Sequence, residues 1–164
     1  RERVIAKQEE LASRGRAPRG GQSAFNSLFE DLLPEPRWVH QPRLFDAAEL
    51  RKWKMDFLSS RVGVEVSFNH AAAISWHFTR LNIAVESERV VEASLIDVGV
   101  VITASDSVKN WSKMDSAVGT FDAFRAWLRE MKPILPVPLL LIGLRADGWA
   151  PTDAFGGTRT GTRP

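Results

Sequence analysis

The sequence predicts a single α/β domain in which helices flank both faces of a mixed central sheet. The chain has 164 residues, 44% of them hydrophobic and 26% charged, which is typical of a globular domain rather than a disordered chain. A chain of this length buries roughly 70% of its unfolded surface when it folds. The predicted elements follow the order helix, strand, strand, helix, strand, helix, strand, and this alternation indicates an α/β architecture.

A proline-rich connection separates the first two predicted helices. Ser23 is placed to cap a helix whose apolar side chains recur with helical spacing, and a proline ends it. Residues 34–42 contain three prolines, which favours an irregular segment. Asp46 and Glu49 then have the spacing of a capping box, so a second helix is expected to run to about Lys54.

A β-hairpin follows the second helix. Residues 55–58 predict one strand, two serines a turn, and residues 61–68 the other strand. Valines alternate with other residues along the second strand, so Glu65 and Ser67 share the face opposite the valines.

The rest of the domain alternates helices and strands. Helical spacing of apolar residues predicts a helix over 71–85 and another that begins at Thr120 or Asp122. Residues 95–103 are rich in β-branched side chains and predict a central strand, and residues 136–144 predict a last buried strand.

The two ends of the chain lie outside the predicted domain, which covers residues 22–148. Residues 1–21 are polar and basic, which favours a flexible arm. The arginines of this arm suit contact with a phosphate backbone, although an ordinary chain terminus explains the same composition. Residues 149–164 lose the hydrophobic pattern and are expected to form a flexible tail.

Composition excludes several kinds of site. The chain has no cysteine, so it has no disulfide, thiolate zinc site, iron–sulfur cluster or cysteine nucleophile. Its longest apolar run, residues 137–144, is too short to span a bilayer. Because no apolar leader segment is present, we expect a cytoplasmic protein that acts without a membrane. Of the 22 basic residues 16 are arginines, whose planar guanidinium suits phosphate and guanine.

An acidic pair in the hairpin is the strongest candidate for chemistry. Asp56 lies nine positions before Glu65, and a tight turn between two strands would place the two carboxylates together near one end of the sheet. Two carboxylates, a backbone carbonyl and waters form an oxygen-only site of the kind that holds Mg²⁺. Taken alone, this generic pattern favours an ordinary turn aspartate and a solvent-facing strand glutamate.

Three segments resemble the BglII/BstYI family of type II restriction endonucleases, which have the PD-(D/E)xK nuclease fold. They are Lys54-Met-Asp-Phe-Leu58, Arg61-Val-Gly-Val-Glu-Val-Ser-Phe-Asn69 and Leu95-Ile-Asp-Val-Gly-Val-Val-Ile102. The resemblance covers residues 44–144. It implies a restriction-endonuclease-like core in which Asp56, Glu65 and the backbone carbonyl of Val66 hold the metal.

The resemblance also implies a function and its partners. It implies a prokaryotic, Mg²⁺-dependent endonuclease, with Mn²⁺ as a substitute, that hydrolyses double-stranded DNA at a short palindrome. Such an enzyme acts as a homodimer, with one subunit for each strand, and a cognate DNA methyltransferase is expected in the same system.

One departure from the family pattern concerns the third catalytic position. The family places Gln there and wider PD-(D/E)xK nucleases place Lys, whereas this chain has Ser67. A hydroxyl can touch the nucleophilic water, but it does not stabilise charge as Lys does. A catalytically weak or inactive DNA-binding relative is therefore the alternative, and a structural or regulatory interaction domain is a third reading.

The residues that follow the active-site strand are the first candidates for DNA contact. In the resembled family this segment approaches bases in the major groove, and Asn69 and His70 occupy it here. Asn pairs with adenine and His donates to guanine acceptors. Asn69 equally suits the N-cap of the following helix. His70 stands at no metal-ligand spacing from His40 or His77.

A second polar segment follows the predicted central strand. Lys109, Asn110 and Lys113 suit phosphate contact or base readout, although an ordinary solvated loop explains them equally well. Trp111 lies among them and is the tryptophan best placed for a surface role. Asp97 is unusual in a buried strand, and pairing with an arginine or a place in a dimer interface both fit it.

Overall fold

A five-stranded mixed sheet forms the centre of the protein in the computed structural model, which describes residues 1–15, 20–45, 47–86 and 96–156. The strands are β1 (Val39–His40), β2 (Phe57–Ser59), β3 (Val62–Ser67), β4 (Val98–Ala104) and β5 (Leu139–Leu144). They lie side by side in sequence order. The β1–β2 and β2–β3 pairs are antiparallel, and the β3–β4 and β4–β5 pairs are parallel.

Helices cover both faces of the sheet, and each face has its own hydrophobic core. The helices are α1 (Glu2–Ser13), α2 (Gln22–Leu32), α3 (Ile74–Glu86), α4 (Asp106–Trp111) and α5 (Phe121–Met131). One core joins α1 and α2 to Val64 and Val66 of β3, and the other joins α3 and α5 to Val101 of β4. The predicted α/β fold, with a mixed sheet between helices, is confirmed.

The β2–β3 hairpin forms where the valine alternation predicts it. Phe57 pairs with Val64, and the register continues to the pair Ser59–Val62. The turn falls one residue later than predicted, and Ser60 adopts a left-handed φ of 52° there. Helices cover each side of the sheet, so both faces of β3 are buried.

The N-terminal segment differs from the expected arm. Residues 2–13 form α1, and its Val4 and Gln8 are buried at 4% and 3% exposure. Lys7 of α1 forms an ion pair with Asp31 of α2 at 2.6 Å. The apolar positions of α1 are few and lie among charges, so the composition hides a helix that is stabilised by packing on α2.

The segment before the hairpin is less helical than predicted. A single 3₁₀ turn at Ala48–Leu50 replaces the expected helix. Lys54 instead takes part in an antiparallel bridge with Arg43. Asp46, the predicted cap, lies outside the described residues.

The C-terminal region also packs more closely than expected. Phe155 is fully buried, and the ring of Trp149 meets that of Trp111 at 4.7 Å. Residues 149–156 therefore lie against the domain, residues 157–164 lie outside the described part, and Trp111 has a packing role rather than the predicted surface role. The last strand, β5, lies at the sheet edge with Leu140 52% exposed, so it is not the buried strand predicted.

Asp97 lies directly before β4 and its side chain is exposed, rather than inside a buried strand. The ion pair of Asp97 with Arg61, at 2.5 Å, accounts for the acidic residue at the start of the central strand. Among the described residues, no helix has the length and apolar character needed to cross a membrane.

Phe68 provides a test of how the functional strand is anchored. It follows β3 directly, is 1% exposed, and its ring lies 5.1 Å from Phe25 and 6.3 Å from Phe29 of α2. We expect Phe68→Ala to lower the free energy of unfolding by about 3–5 kcal/mol, because it leaves a cavity between sheet and helix. Urea unfolding measures this. Ile134→Ala, at a 66% exposed site, is the control, and equal losses in both variants would contradict the assignment.

Candidate active site

The antiparallel hairpin brings the two predicted carboxylates to the same end of the sheet. Phe57 pairs with Val64, so the next residues outward, Asp56 and Glu65, face each other across the two strands. Directly opposed residues project from the same face of an antiparallel pair. The two side chains therefore converge where β2 begins and β3 nears its end.

Glu65 is a fully buried carboxylate held by α3. Its exposed fraction is 0%. Oε1 accepts a hydrogen bond from Arg80 Nε at 2.9 Å, and Oε2 accepts one from Arg80 Nη2 at 2.5 Å. A buried charge is costly unless it is both paired and hydrogen-bonded. The two-point contact with Arg80 meets both requirements.

His77 adds a third group to this cluster. Its Nδ1 lies 2.6 Å from Glu65 Oε2 and 2.8 Å from Arg80 Nη2. A single ring nitrogen cannot donate and accept at once, so Nδ1 either donates to Glu65 or accepts from Arg80. The other ring nitrogen, Nε2, is buried and has no hydrogen-bond partner among the described residues.

Asp56 is the more open member of the carboxylate pair. Its Oδ2 accepts a hydrogen bond from the backbone N–H of Val66 at 2.7 Å. Burial and the nearby charge of Glu65 raise the pKa of Asp56 to about 6. The hydrogen bond from Val66 and the charges of His77 and Arg80 act in the opposite direction. The net shift indicates that the ionised pair would gain from additional positive charge.

A cavity of about 630 Å³ opens beside Asp56. Asp56, Val66 and Asn69 line it from the sheet side, whereas Glu65 does not, so the cavity gives a ligand access to the pair through Asp56. Most of the remaining wall is polar and comes from α2, the β1 region and the segment before β2. These residues are Asn26, Glu30, His40, Gln41 and Lys54, and Phe57 of β2 completes the wall.

Ser67 and Val66 lie on opposite faces of the same strand. Ser67 is 1% exposed and shares the α3 face with Glu65, two residues before it. The Val66 N–H points to Asp56. In an extended strand the N–H and C=O of one residue point to the same neighbour, so the Val66 carbonyl is directed to the Asp56 side.

The segment after β3 leads to the mouth of the cavity. Asn69 and His70 are both exposed, and Asn69 lines the cavity. Asn69 does not cap a helix. His70 occupies the N-cap position of the 3₁₀ turn Ala71–Ala73 that precedes α3, and it makes no side-chain capping bond.

The second predicted set of DNA contacts lies elsewhere. Lys109 and Asn110 belong to α4 rather than to a loop, and Lys113 follows the helix. Lys109 Nζ donates to the carbonyl oxygens of Ser116 and Val118 at 2.6 and 2.8 Å. Lys109 thus stabilises the segment before α5, and none of the three predicted residues lines the cavity.

The carboxylate pair fits a hard divalent cation in charge and in donor type. Asp56 Oδ1 accepts no hydrogen bond from the described residues, and all the donors are oxygens, as Mg²⁺ prefers. The described residues contain no group of three or more His, Cys, Asp or Glu that would hold a metal. The candidate ligands are therefore Asp56, Glu65 and the Val66 carbonyl, with Arg80 in contact with both oxygens of Glu65.

Sequence reasoning missed Arg80 and His77. The apolar spacing of Ile74, Phe78 and Leu81 predicts a hydrophobic face toward the sheet, and this face forms. His77 and Arg80 border that stripe and are three residues apart, which places them side by side on α3. This spacing was the available signal, but only the fold shows that the two residues lie over Glu65.

The raised pKa of Asp56 predicts a pH-dependent loss of stability in metal-free protein. The pKa of about 6 in the folded state exceeds the ordinary aspartate value of 3.8, so the folded state binds this proton more tightly than the unfolded state. The contribution of protonated Asp56 to the free energy of unfolding is complete below about pH 4 and is lost as the pH rises through 6. We expect a loss of at most about 3 kcal/mol, measured by urea unfolding in EDTA.

Asp56→Asn should remove this decline, because the amide keeps the Val66 contact without titrating. Asp122→Asn is the matched control, since Asp122 is an exposed helix residue. A decline of equal size in the wild type and in the Asp56 variant would contradict the assignment.

Comparison with known proteins concerns the fold and the family of the chain. The crystal structure of restriction endonuclease BglII complexed with a DNA 16-mer resembles this chain with a TM-score of 0.65 and 16% sequence identity. The match covers 79% of this chain and 58% of that chain, so the likeness concerns the fold of a part of BglII. No curated protein gives a significant match. The model of the BglII/BglIII restriction endonuclease family matches residues 2–144, and the chain therefore belongs to that family.

Proposed function

We propose that this chain acts as a Mg²⁺-dependent type II restriction endonuclease that hydrolyses phosphodiester bonds of double-stranded DNA. The observation that carries the proposal is the carboxylate pair of Asp56, which lines an open polar cavity, and Glu65, which is fully buried, in a chain of the BglII/BglIII family. The chain spans 58% of the BglII chain that it resembles, so family membership supports this activity without establishing it.

Asp56, Glu65 and the Val66 carbonyl would hold the metal. When bound, Mg²⁺ or Mn²⁺ would stabilise negative charge at the phosphate and favour deprotonation of the attacking water. Asp56 supplies a carboxylate with an open oxygen at the cavity, and Glu65 supplies one fixed by α3. The Ser67 hydroxyl lies on the same strand face as Glu65 and orients the water by a hydrogen bond.

DNA would enter over the polar cavity. Asn69 lines its mouth, and His70 lies next to it at the exposed end of β3, so both would contact base edges in the major groove. Asn110 and Lys113 are exposed on the neighbouring α4 region and would contact phosphates. Lys109, which is held by two backbone carbonyls, is the weakest of the predicted contacts.

The remaining parts of the proposal concern assembly and context. A homodimer would place one active site on each strand of a short palindrome, because a two-fold protein axis matches a two-fold DNA site. Such an enzyme would work in a prokaryotic cytoplasm beside a DNA methyltransferase that protects the host site.

A catalytically weak or inactive DNA-binding relative is the second candidate. Two observations favour it. Ser67 is neutral and short at the position where related nucleases carry Gln or Lys. Both oxygens of Glu65 are also engaged by Arg80, with His77 close to Oε2, so a cation must share or replace those contacts.

Cleavage of unmethylated plasmid DNA in Mg²⁺ or Mn²⁺ tests the proposed function. We expect discrete fragments from the wild-type chain and a loss of at least about 100-fold in rate for Glu65→Gln, because charge stabilisation at the phosphate is lost. Gel analysis over time gives the rates. Glu130→Gln, on the exposed face of α5, should cut as the wild type does.

Binding in Ca²⁺ at low salt separates the two candidates. Duplex binding without any cutting in Mg²⁺ or Mn²⁺ would favour the inactive relative. Absence of binding at low salt, where phosphate contacts are strongest, would contradict both DNA-directed functions.

A further inference from the structure

The proposed site has no positive charge at the third position of its motif. Ser67 is neutral, buried at 1% exposure, and lies on the same strand face as Glu65. A hydroxyl at this position can orient a water, but it adds no charge next to a phosphate. Any positive charge in this site must therefore come from another element of the fold.

Arg80 of α3 brings a positive charge to the Glu65 carboxylate. Its guanidinium makes two hydrogen bonds to Glu65, at 2.9 and 2.5 Å, and its charge also acts on Asp56. Among the described residues, no other arginine or lysine makes an ion pair with Glu65. The guanidinium thus contacts Glu65, the carboxylate that shares a strand face with position 67.

Arg80 also connects the buried pair with the protein surface. Its side chain is 22% exposed, and it lines a surface pocket together with Lys52, Trp53 and Trp76. The Nε and Nη2 groups contact Glu65 and His77, whereas Nη1 makes no hydrogen bond to the described residues. Two N–H donors are therefore available at the same guanidinium that holds Glu65.

We propose that Arg80 is the cationic positioning residue of this nuclease site, supplying from α3 the positive charge that Ser67 does not supply from β3. The inference rests on the proposed function. Arg80 fixes Glu65 by its two-point contact and keeps a full positive charge in contact with that carboxylate. An ion pair that only stabilises the fold would have the same contacts. The experiment must therefore separate the effect of the Arg80 charge on cleavage from its effect on stability.

The experiment compares Arg80→Gln with the double variant Arg80→Gln/Ser67→Lys. The first variant removes the charge, and the second returns one from the neighbouring strand. Arg125→Gln is the matched control, because Arg125 forms an exposed ion pair on α5. Single-turnover cleavage, duplex affinity in Ca²⁺ and Ca²⁺ affinity by calorimetry are measured for each, together with the melting temperature.

Cleavage rates, compared with duplex affinities, show whether the charge of Arg80 acts on the reaction or on DNA binding. We expect Arg80→Gln to slow cleavage by about 100-fold or more, with duplex affinity within about threefold of the wild type, since the charge acts on the reacting phosphate. Adding Ser67→Lys should raise the cleavage rate at least about tenfold above that of Arg80→Gln without restoring the melting temperature. Wild-type cleavage by Arg80→Gln, or no rescue by Ser67→Lys, would overturn the proposal.

Ca²⁺ binding tests the role of Arg80 even if the wild-type chain cuts no DNA. Absence of cleavage by the wild-type chain would contradict the proposed function and not the role of Arg80. A positive charge in contact with Glu65 repels and competes with a divalent cation. Arg80→Gln should therefore bind Ca²⁺ about fivefold or more tightly, and Ser67→Lys should reverse most of this gain. Unchanged or weaker Ca²⁺ binding in Arg80→Gln would overturn the assignment.

If Arg80→Gln does not fold, Arg80→Lys keeps the inference testable. Lys preserves the charge but not the two-point geometry. We expect a folded Arg80→Lys protein to bind Ca²⁺ within about twofold of the wild type and, where the wild type cuts DNA, to cut within about tenfold of its rate. A Ca²⁺ affinity at least about fivefold above that of the wild type, or cleavage as slow as that of Glu65→Gln, would overturn it.

Discussion

The buried carboxylate of Glu65 requires positive charge, and much of the local architecture serves that requirement. β3 carries Glu65 into the sheet with no exposed surface, where an unpaired charge would cost several kcal/mol. Arg80 and His77 of α3 lie against it. The position of α3 over β3 is therefore set by electrostatics as well as by its apolar stripe.

Asp56 sets a second constraint at the same place. Burial and the charge of Glu65 raise its pKa to about 6, so the ionised pair is destabilised until more positive charge arrives. The hairpin register enforces this proximity, and the packing of Phe68 against α2 holds the strand in place. The two hydrophobic cores thus stabilise a fold in which the carboxylates of Asp56 and Glu65 lie close together, although their charges repel each other.

Local patterns predicted the parts of the protein whose structure depends on neighbouring residues. Alternating valines predicted the hairpin, and apolar spacing predicted α3 and α5, because these patterns report burial directly. The helix α1 was missed because it depends on packing against α2. Asp56 and Glu65 lie within one hairpin and were predicted as metal ligands from their spacing together with the family resemblance, since the spacing alone favoured ordinary residues. Arg80 is brought to Glu65 by a turn and a helix that no local pattern places. Lys109 was interpreted as a surface residue because its backbone partners are formed only in the fold.

Anomalous diffraction from crystals soaked in MnCl₂ tests most directly whether the carboxylate pair is a metal-dependent active site. We expect one strong Mn²⁺ peak in contact with the carboxylates of Asp56 and Glu65 and with the Val66 carbonyl. A map without a peak at this position, with Glu65 still paired to Arg80, would contradict the assignment of this site.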